Sequence, residues 1–147
     1  MDPRTEDITD KQRIRELQNH YSYSIDSGKY DNLDAIFTPN ATYHFVSGST
    51  DNIEALKPTI RDALSPLKAS QHINGNQWSE IEGDFAKAGC YFTVHMYKEG
   101  LADGEHFEMG GRYDDELVRA GDGWRVSKRT ITILWSDGNP KVRLQEQ

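Results

Sequence analysis

Residues 123–136 read GWRVSKRTITILWS, and this stretch decides the fold. Trp124, Val126, Ile131, Thr132, Ile133 and Trp135 are the aromatic and β-branched types that fit a pleated, half-buried surface. Gly121-Asp122-Gly123 stands immediately before it as a tight-turn signal. Upstream, Asp103-Gly104 and Gly83-Asp84 give two more such signals. They divide the second half of the chain into four β runs, over residues 70–82, 85–98, 105–119 and 123–136. Long strands joined by short turns predict an antiparallel meander. Asn74-Gly75 is a further turn signal inside the first run, and Gly110-Gly111 marks a bulge or a close approach in the third.

The first half of the chain has a different period. Ile14, Leu17, Tyr21 and Ile25 recur at helical spacing, with Thr9 and Gln12 as a capping-box start and Gly28 as a stop. A short second helix is expected over Asp31–Phe37, ended by Pro39-Asn40, and a short strand over Ala41–Val46. Ser47-Gly48-Ser49 reads as a loop. Asp51 and Glu54 open a third helical stretch with Pro58 inside it and Pro66 beyond. Helices followed by strands predict an α+β fold, with the helices on one side of a curved antiparallel sheet. A sheet that curls around the N-terminal helices becomes a cone with one open end.

The chain has 147 residues, the length of one domain, and residues 1–7 and 138–147 read as tails. A formal charge of −7 argues against a nucleic-acid partner, because no basic surplus is available to displace counterions. No apolar run reaches the ~20 residues of a membrane span. The polar N-terminus is not a signal peptide, so the expectation is a cytoplasmic protein. The single cysteine, Cys90, excludes an intrachain disulfide and reads as a small buried hydrophobe. His20, His44, His95, His106 and Glu108 show no metal-ligand spacing, so no metal site is expected.

Four residues stand out for chemistry. Asp26 falls in the last turn of the first helix, where the partial negative charge of free carbonyls disfavours a carboxylate without a partner. His72 is the candidate partner and the best general base, because imidazole titrates near neutrality. Arg129 lies inside the strongest strand. Alternation places it with Ile131, Ile133 and Trp135 on an apolar face, where a cation needs an anion; a slip of one residue would leave it exposed. Tyr21 shares the apolar face of the first helix, and its hydroxyl needs a partner if buried.

The order Tyr21-x4-Asp26, Ala41-Thr42-Tyr43, His72-x3-Asn76, Gly111-Arg112-Tyr113-Asp114-Asp115-Glu116 and Gly123-Trp124-Arg125-Val126 with Arg129 resembles the SnoaL-like branch of the nuclear transport factor 2-like superfamily, over residues 8–136. It is most similar to the lyase group of scytalone dehydratase, bile-acid 7α-dehydratase and hexachlorocyclohexane dehydrochlorinase. The resemblance implies a cone-shaped α+β barrel, no cofactor, and a homo-oligomer, a trimer ahead of a dimer. It also implies that Asp26 orients His72, that His72 removes a proton from substrate carbon, that Arg129 stabilises negative charge, and that Tyr21 assists the leaving oxygen. The pocket walls of the group are not shared, so the substrate does not carry over.

The expected activity is therefore a cofactor-independent lyase, of dehydratase type, on a small, largely apolar aromatic or alicyclic substrate. Its binding wall is expected from Tyr43, Phe45, Asn76, Trp78, Phe92, Val94, Met109, Tyr113 and Trp135. The rival readings are an isomerase or cyclase using the same dyad, and a non-catalytic module that binds a small ligand.

Overall fold

The computed structural model describes residues 2–121 and 123–143. Asp122 of the last turn signal, Met1, and residues 144–147 of the expected C-terminal tail lie outside the described residues. Helix α1 spans Pro3–Asp26 and α2 spans Ile53–Leu64. The strands are β1 (Phe37–Phe45), β2 (Gly48–Thr50), β3 (Ala69–Glu82), β4 (Phe85–Tyr97), β5 (His106–Ala120) and β6 (Gly123–Gly138). The four expected β runs correspond to β3, β4, β5 and β6. They form an antiparallel meander within one curved, open sheet of order β2-β1-β6-β5-β4-β3.

Several local expectations need correction. Helix α1 starts at Pro3 rather than Thr9, because the Asp2 carboxylate accepts the Arg4 N–H at 2.9 Å and caps it there. Most of the expected N-terminal tail is thus helix. The helix ends as expected, with Gly28 at φ +72° just past it. The second helix is a 3₁₀ segment, Tyr30–Ala35, and Phe37 instead opens β1. Pro39-Asn40 does not break the chain; it lies where the pairing of β1 with β6 is irregular, between Phe37 and Thr42. The β1–β6 pairing is parallel, so the sheet is not antiparallel throughout. The expected loop at residues 47–49 is the turn and start of β2, with Phe45 opposite Gly48. Asn52, not Asp51, caps α2 by accepting the Ala55 N–H at 2.8 Å. The C-terminal tail is partly structured, since β6 runs to Gly138 and a 3₁₀ turn covers Pro140–Arg143.

Helix α1 lies across the sheet and buries Ile14, Tyr21 and Ile25 against a core that includes Phe92, Leu117, Trp124 and Val126. Its first half is clasped to the sheet by Asp10. Arg119 donates to both carboxylate oxygens of Asp10, at 3.1 and 3.0 Å, and the Trp124 indole N–H donates at 3.1 Å. The Arg119 bond holds the Asp10 carboxyl below the usual range. Sixteen residues of helix, about 24 Å at 1.5 Å each, separate this clasp from Asp26. Among the described residues no helix is long and apolar enough to cross a membrane.

Three bulges change which side chains face inward. In β3, pairing with β4 shifts between Gly75 and Trp78, and Asn76 adopts φ +52°. This is how the strand absorbs the Asn74-Gly75 turn signal without breaking. In the β5–β6 pair the register shifts between Gly110 and Gly111, and again between Glu116 and Leu117. Each bulge inserts one residue and reverses the inward parity beyond it.

Candidate active site

Asp26, the last residue of α1, and His72, near the start of β3, come together because α1 packs along β3. The His72 Nδ1–H donates to Asp26 Oδ1 at 2.6 Å, and the His72 backbone N–H donates to Oδ2 at 2.6 Å. The Ser70 hydroxyl adds a third donor, to Oδ1 at 2.7 Å. The helix end has no basic residue in its last turn, so these donors supply the compensation that the Asp26 carboxylate needs. The contact is sheltered: the His72 side chain is 8% exposed and that of Asp26 17%. With Nδ1 engaged, Nε2 is the nitrogen of the ring left without a hydrogen-bond partner among the described residues.

The His72 ring lines a cavity of about 460 Å³ between α1, α2 and the sheet. Tyr43, Phe45, Phe92, Val94, Met109 and Tyr113, all expected as wall, line it. Asn76, Trp78 and Trp135, also expected as wall, do not. The β3 bulge turns Trp78 to the outer face, where its ring covers Gly89 and is 45% exposed. Asn76 is the bulge residue itself and borders an outer groove with Trp78. In β6, Leu134 is the extra residue, so Ile131, Ile133 and Ser136 face the cavity while Trp135 lies outside over Gly110. Sequence alternation also missed the wall that α2 contributes through Ile60 and Leu64.

Tyr21 and Tyr43 meet at the cavity with their hydroxyls 2.5 Å apart. Burial pushes the Tyr21 hydroxyl above the ordinary tyrosine value, and the nearby Arg129 charge opposes that rise without cancelling it. Tyr43 is pushed well above, by burial first and by its tyrosine neighbours next. Both phenols therefore stay protonated at neutral pH and one donates to the other. Tyr113 stacks on Phe92 beside them, with centroids 4.3 Å apart.

Arg129 faces inward as alternation predicts, but it lies behind the cavity wall rather than on it. Its Nε and Nη2 donate to the two Asp115 oxygens, both at 2.8 Å. Its guanidinium lies 4.3 Å from the Tyr21 ring and 4.2 Å from the Tyr113 ring. Burial works against this charge, and Asp115 overcomes it and holds Arg129 as a cation. Arg129 is thus not placed for the expected direct contact with a substrate in the cavity, and its guanidinium faces the Tyr21 ring instead. Asp115 was not singled out in the sequence. Counting back from the Gly121–Gly123 turn pairs Arg129 with the exposed Asp114, and the bulge after Glu116 moves the pairing to Asp115.

Two other polar groups lie elsewhere. On the outer face His95 Nδ1 contacts Glu108 at 2.5 Å and Nε2 contacts His106 at 2.6 Å. No group of three such side chains that could hold a metal ion occurs among the described residues. Cys90 is buried, and desolvation pushes its thiol up to about 11.

Comparison with known proteins agrees with this architecture. The SnoaL-like domain model matches residues 6–130. An uncharacterised protein of Mycobacterium tuberculosis (strain H37Rv) is 31% identical over 128 residues, 86% of each chain. Among solved structures, a candidate scytalone dehydratase from Novosphingobium aromaticivorans superposes with a TM-score of 0.82 at 15% identity, covering 96% of this chain and 91% of that one. A hexachlorocyclohexane dehydrochlorinase superposes with a TM-score of 0.80 at 15% identity, covering 97% of each chain. The fold is that of the nuclear transport factor 2-like superfamily.

Proposed function

The chain belongs to the SnoaL-like domain family, and from that premise and the site geometry we propose that it is a cofactor-independent lyase. The observation that carries this reading is the sheltered Asp26–His72 contact at 2.6 Å, on a ring that lines an apolar cavity with two paired phenols. The substrate is a small aromatic or alicyclic molecule with an acidified C–H next to a carbon bearing oxygen. His72 Nε2 takes the proton from carbon, and the C–H electron pair becomes the new double bond. The C–O bond breaks, and the leaving oxygen takes a proton from the Tyr21–Tyr43 pair and departs as water. The imidazolium proton then returns to the phenol through solvent, and the cycle closes without any change of oxidation state.

Each side chain has a defined part. Asp26 fixes the tautomer that leaves Nε2 as the acceptor and offsets the charge that His72 acquires. Arg129, 4.3 Å from the Tyr21 ring, stabilises the phenolate that forms when the proton is given up. The apolar wall excludes water, which strengthens both effects. The superposed dehydratase-type and dehydrochlorinase structures support elimination as the reaction class by analogy of fold, and the dyad supports it by geometry.

Mass spectrometry of turnover tests the reading. Cyclic β-hydroxy ketones and hydroxylated aromatic precursors are offered to the purified protein, and a product lighter by one water is expected. A converted product of unchanged mass would assign an isomerase or cyclase instead. No conversion of any member of the panel, with binding retained, would favour a ligand-binding module.

A further inference from the structure

The cavity lining is mostly apolar, and Arg143 on it is exposed to solvent. Arg143 is the arginine or lysine that lines it, and no Asp or Glu does. The chain carries 24 acidic residues against 17 basic ones, so an arginine on this protein has ample carboxylates to choose from. Arg4, Arg61, Arg112, Arg119 and Arg129 each form an ion pair. Arg15, Arg125 and Arg143 form none among the described residues, and of these three only Arg143 lines the cavity. Its guanidinium instead sits 5.7 Å from the Phe107 ring.

This placement is held by a built support. Val142, next to it, is buried at 1% exposure, and its N–H donates to the Asn139 carbonyl at 3.1 Å. Asn139 is tied in turn, its N–H to the His106 carbonyl at 2.9 Å and its side chain to the Gly104 carbonyl at 2.7 Å. Lys141 pairs with Asp103 at 2.7 Å. The 3₁₀ turn Pro140–Arg143 is thereby fixed at several points, with one of its cations neutralised and the other left over the cavity.

We propose that Arg143 is the specificity-determining residue of this site and that the substrate is an apolar ring bearing a carboxylate. The ring enters the cavity towards His72, and the carboxylate stays at the mouth against the guanidinium, whose planar fork suits it. Orientation follows from the same contact: an amphipathic acid enters ring first, because its charged end is stabilised only at the rim. The proposal rests on the lyase reading only in taking this cavity as the substrate site.

The test uses two isosteric probes, 2-naphthoate and the uncharged 2-naphthamide, with affinity measured by calorimetry. The wild-type protein is expected to bind the carboxylate about five- to ten-fold more tightly, the range of a partly desolvated ion pair. Arg143→Gln should bring the carboxylate down to the amide and leave the amide unchanged, whereas Arg143→Lys should keep part of the preference. Raised salt should shrink the preference in the wild type alone. Equal affinity for the two probes in the wild type, an equal loss for both in Arg143→Gln, or binding of neither would overturn the proposal. The assay reads binding rather than turnover, so its failure leaves the elimination reading standing, and an inactive protein would leave this inference standing.

Discussion

Asp26 accepts twice from His72, once from the ring Nδ1–H and once from the backbone N–H, both at 2.6 Å. Two donors from one residue fix position as well as tautomer. The backbone N–H anchors the carboxylate beside the ring, so the helix end and the start of β3 are joined at the point where the proposed chemistry occurs. A base held this way loses little entropy when the substrate arrives.

Ser70 is a positioning residue of that junction, because its hydroxyl donates at 2.7 Å to the same Asp26 oxygen that receives Nδ1. Ser70→Ala should lower kcat about three- to ten-fold and leave KM unchanged, since the side chain acts on the dyad and not on bound substrate. Ser70→Thr should restore most of the rate. Steady-state kinetics of both variants checks this. A fall in kcat that Thr does not rescue would assign Ser70 a purely structural role.

Alkaline stability should be set by the buried phenols together with the buried Cys90 thiol. Burial raises Tyr21 above the ordinary value of 10, and raises Tyr43 and Tyr113 well above it. A group whose folded value is raised contributes stability that is complete below its unfolded value and is lost as pH climbs towards the folded one. Tm should therefore begin to fall above about pH 9, where Cys90 ionises in the unfolded chain, and fall more steeply above about pH 10, where the phenols join it. Tyr113→Phe removes one such ionisation, so its Tm should fall less steeply over the same window. Thermal melts from pH 8 to pH 11 compare the slopes, and parallel slopes would refute the assignment.

Gly111 and Gly75 should differ in their response to alanine. A Cβ on Gly111 would stand 2.4 Å from the Thr132 carbonyl oxygen, where backbone must shift, and 2.9 Å from the Phe92 ring. Gly111→Ala should cost about 1–3 kcal/mol. At Gly75 nothing lies within 4 Å of the same atom, and alanine there should be near neutral. Chemical denaturation measures both. Equal stability of the two variants would contradict the close approach at the bulge between β5 and β6.

The legible part of the molecule was the part that local pattern controls. Turn signals located the four long strands to within a residue or two, and Gly28 located the end of α1. His72 was legible as a partner for Asp26 and as the titratable base, and it lies before the β3 bulge, on a segment that lines the cavity. Trp78 and Trp135 lie beyond bulges, and the same alternation turned them the wrong way. A bulge is a choice made by the pairing of two strands, so one strand's own sequence shows it faintly, as Asn74-Gly75 and Gly110-Gly111 did. Asp115 was hidden for the same reason. Ser70 and Arg143 act through contacts made only when distant segments meet, and no spacing marks them. The parallel contact of β1 with β6 joins segments more than eighty residues apart, beyond the reach of any local signal.

The base assignment stands or falls on turnover by His72→Gln, with whichever hydroxylated substrate the wild type converts. The amide keeps a polar side chain of similar reach but cannot take a proton from carbon. If His72 is the base, kcat/KM should fall about 10²- to 10⁴-fold, with an unchanged circular dichroism spectrum and probe binding retained. A folded His72→Gln protein that turns over at the wild-type rate would contradict it.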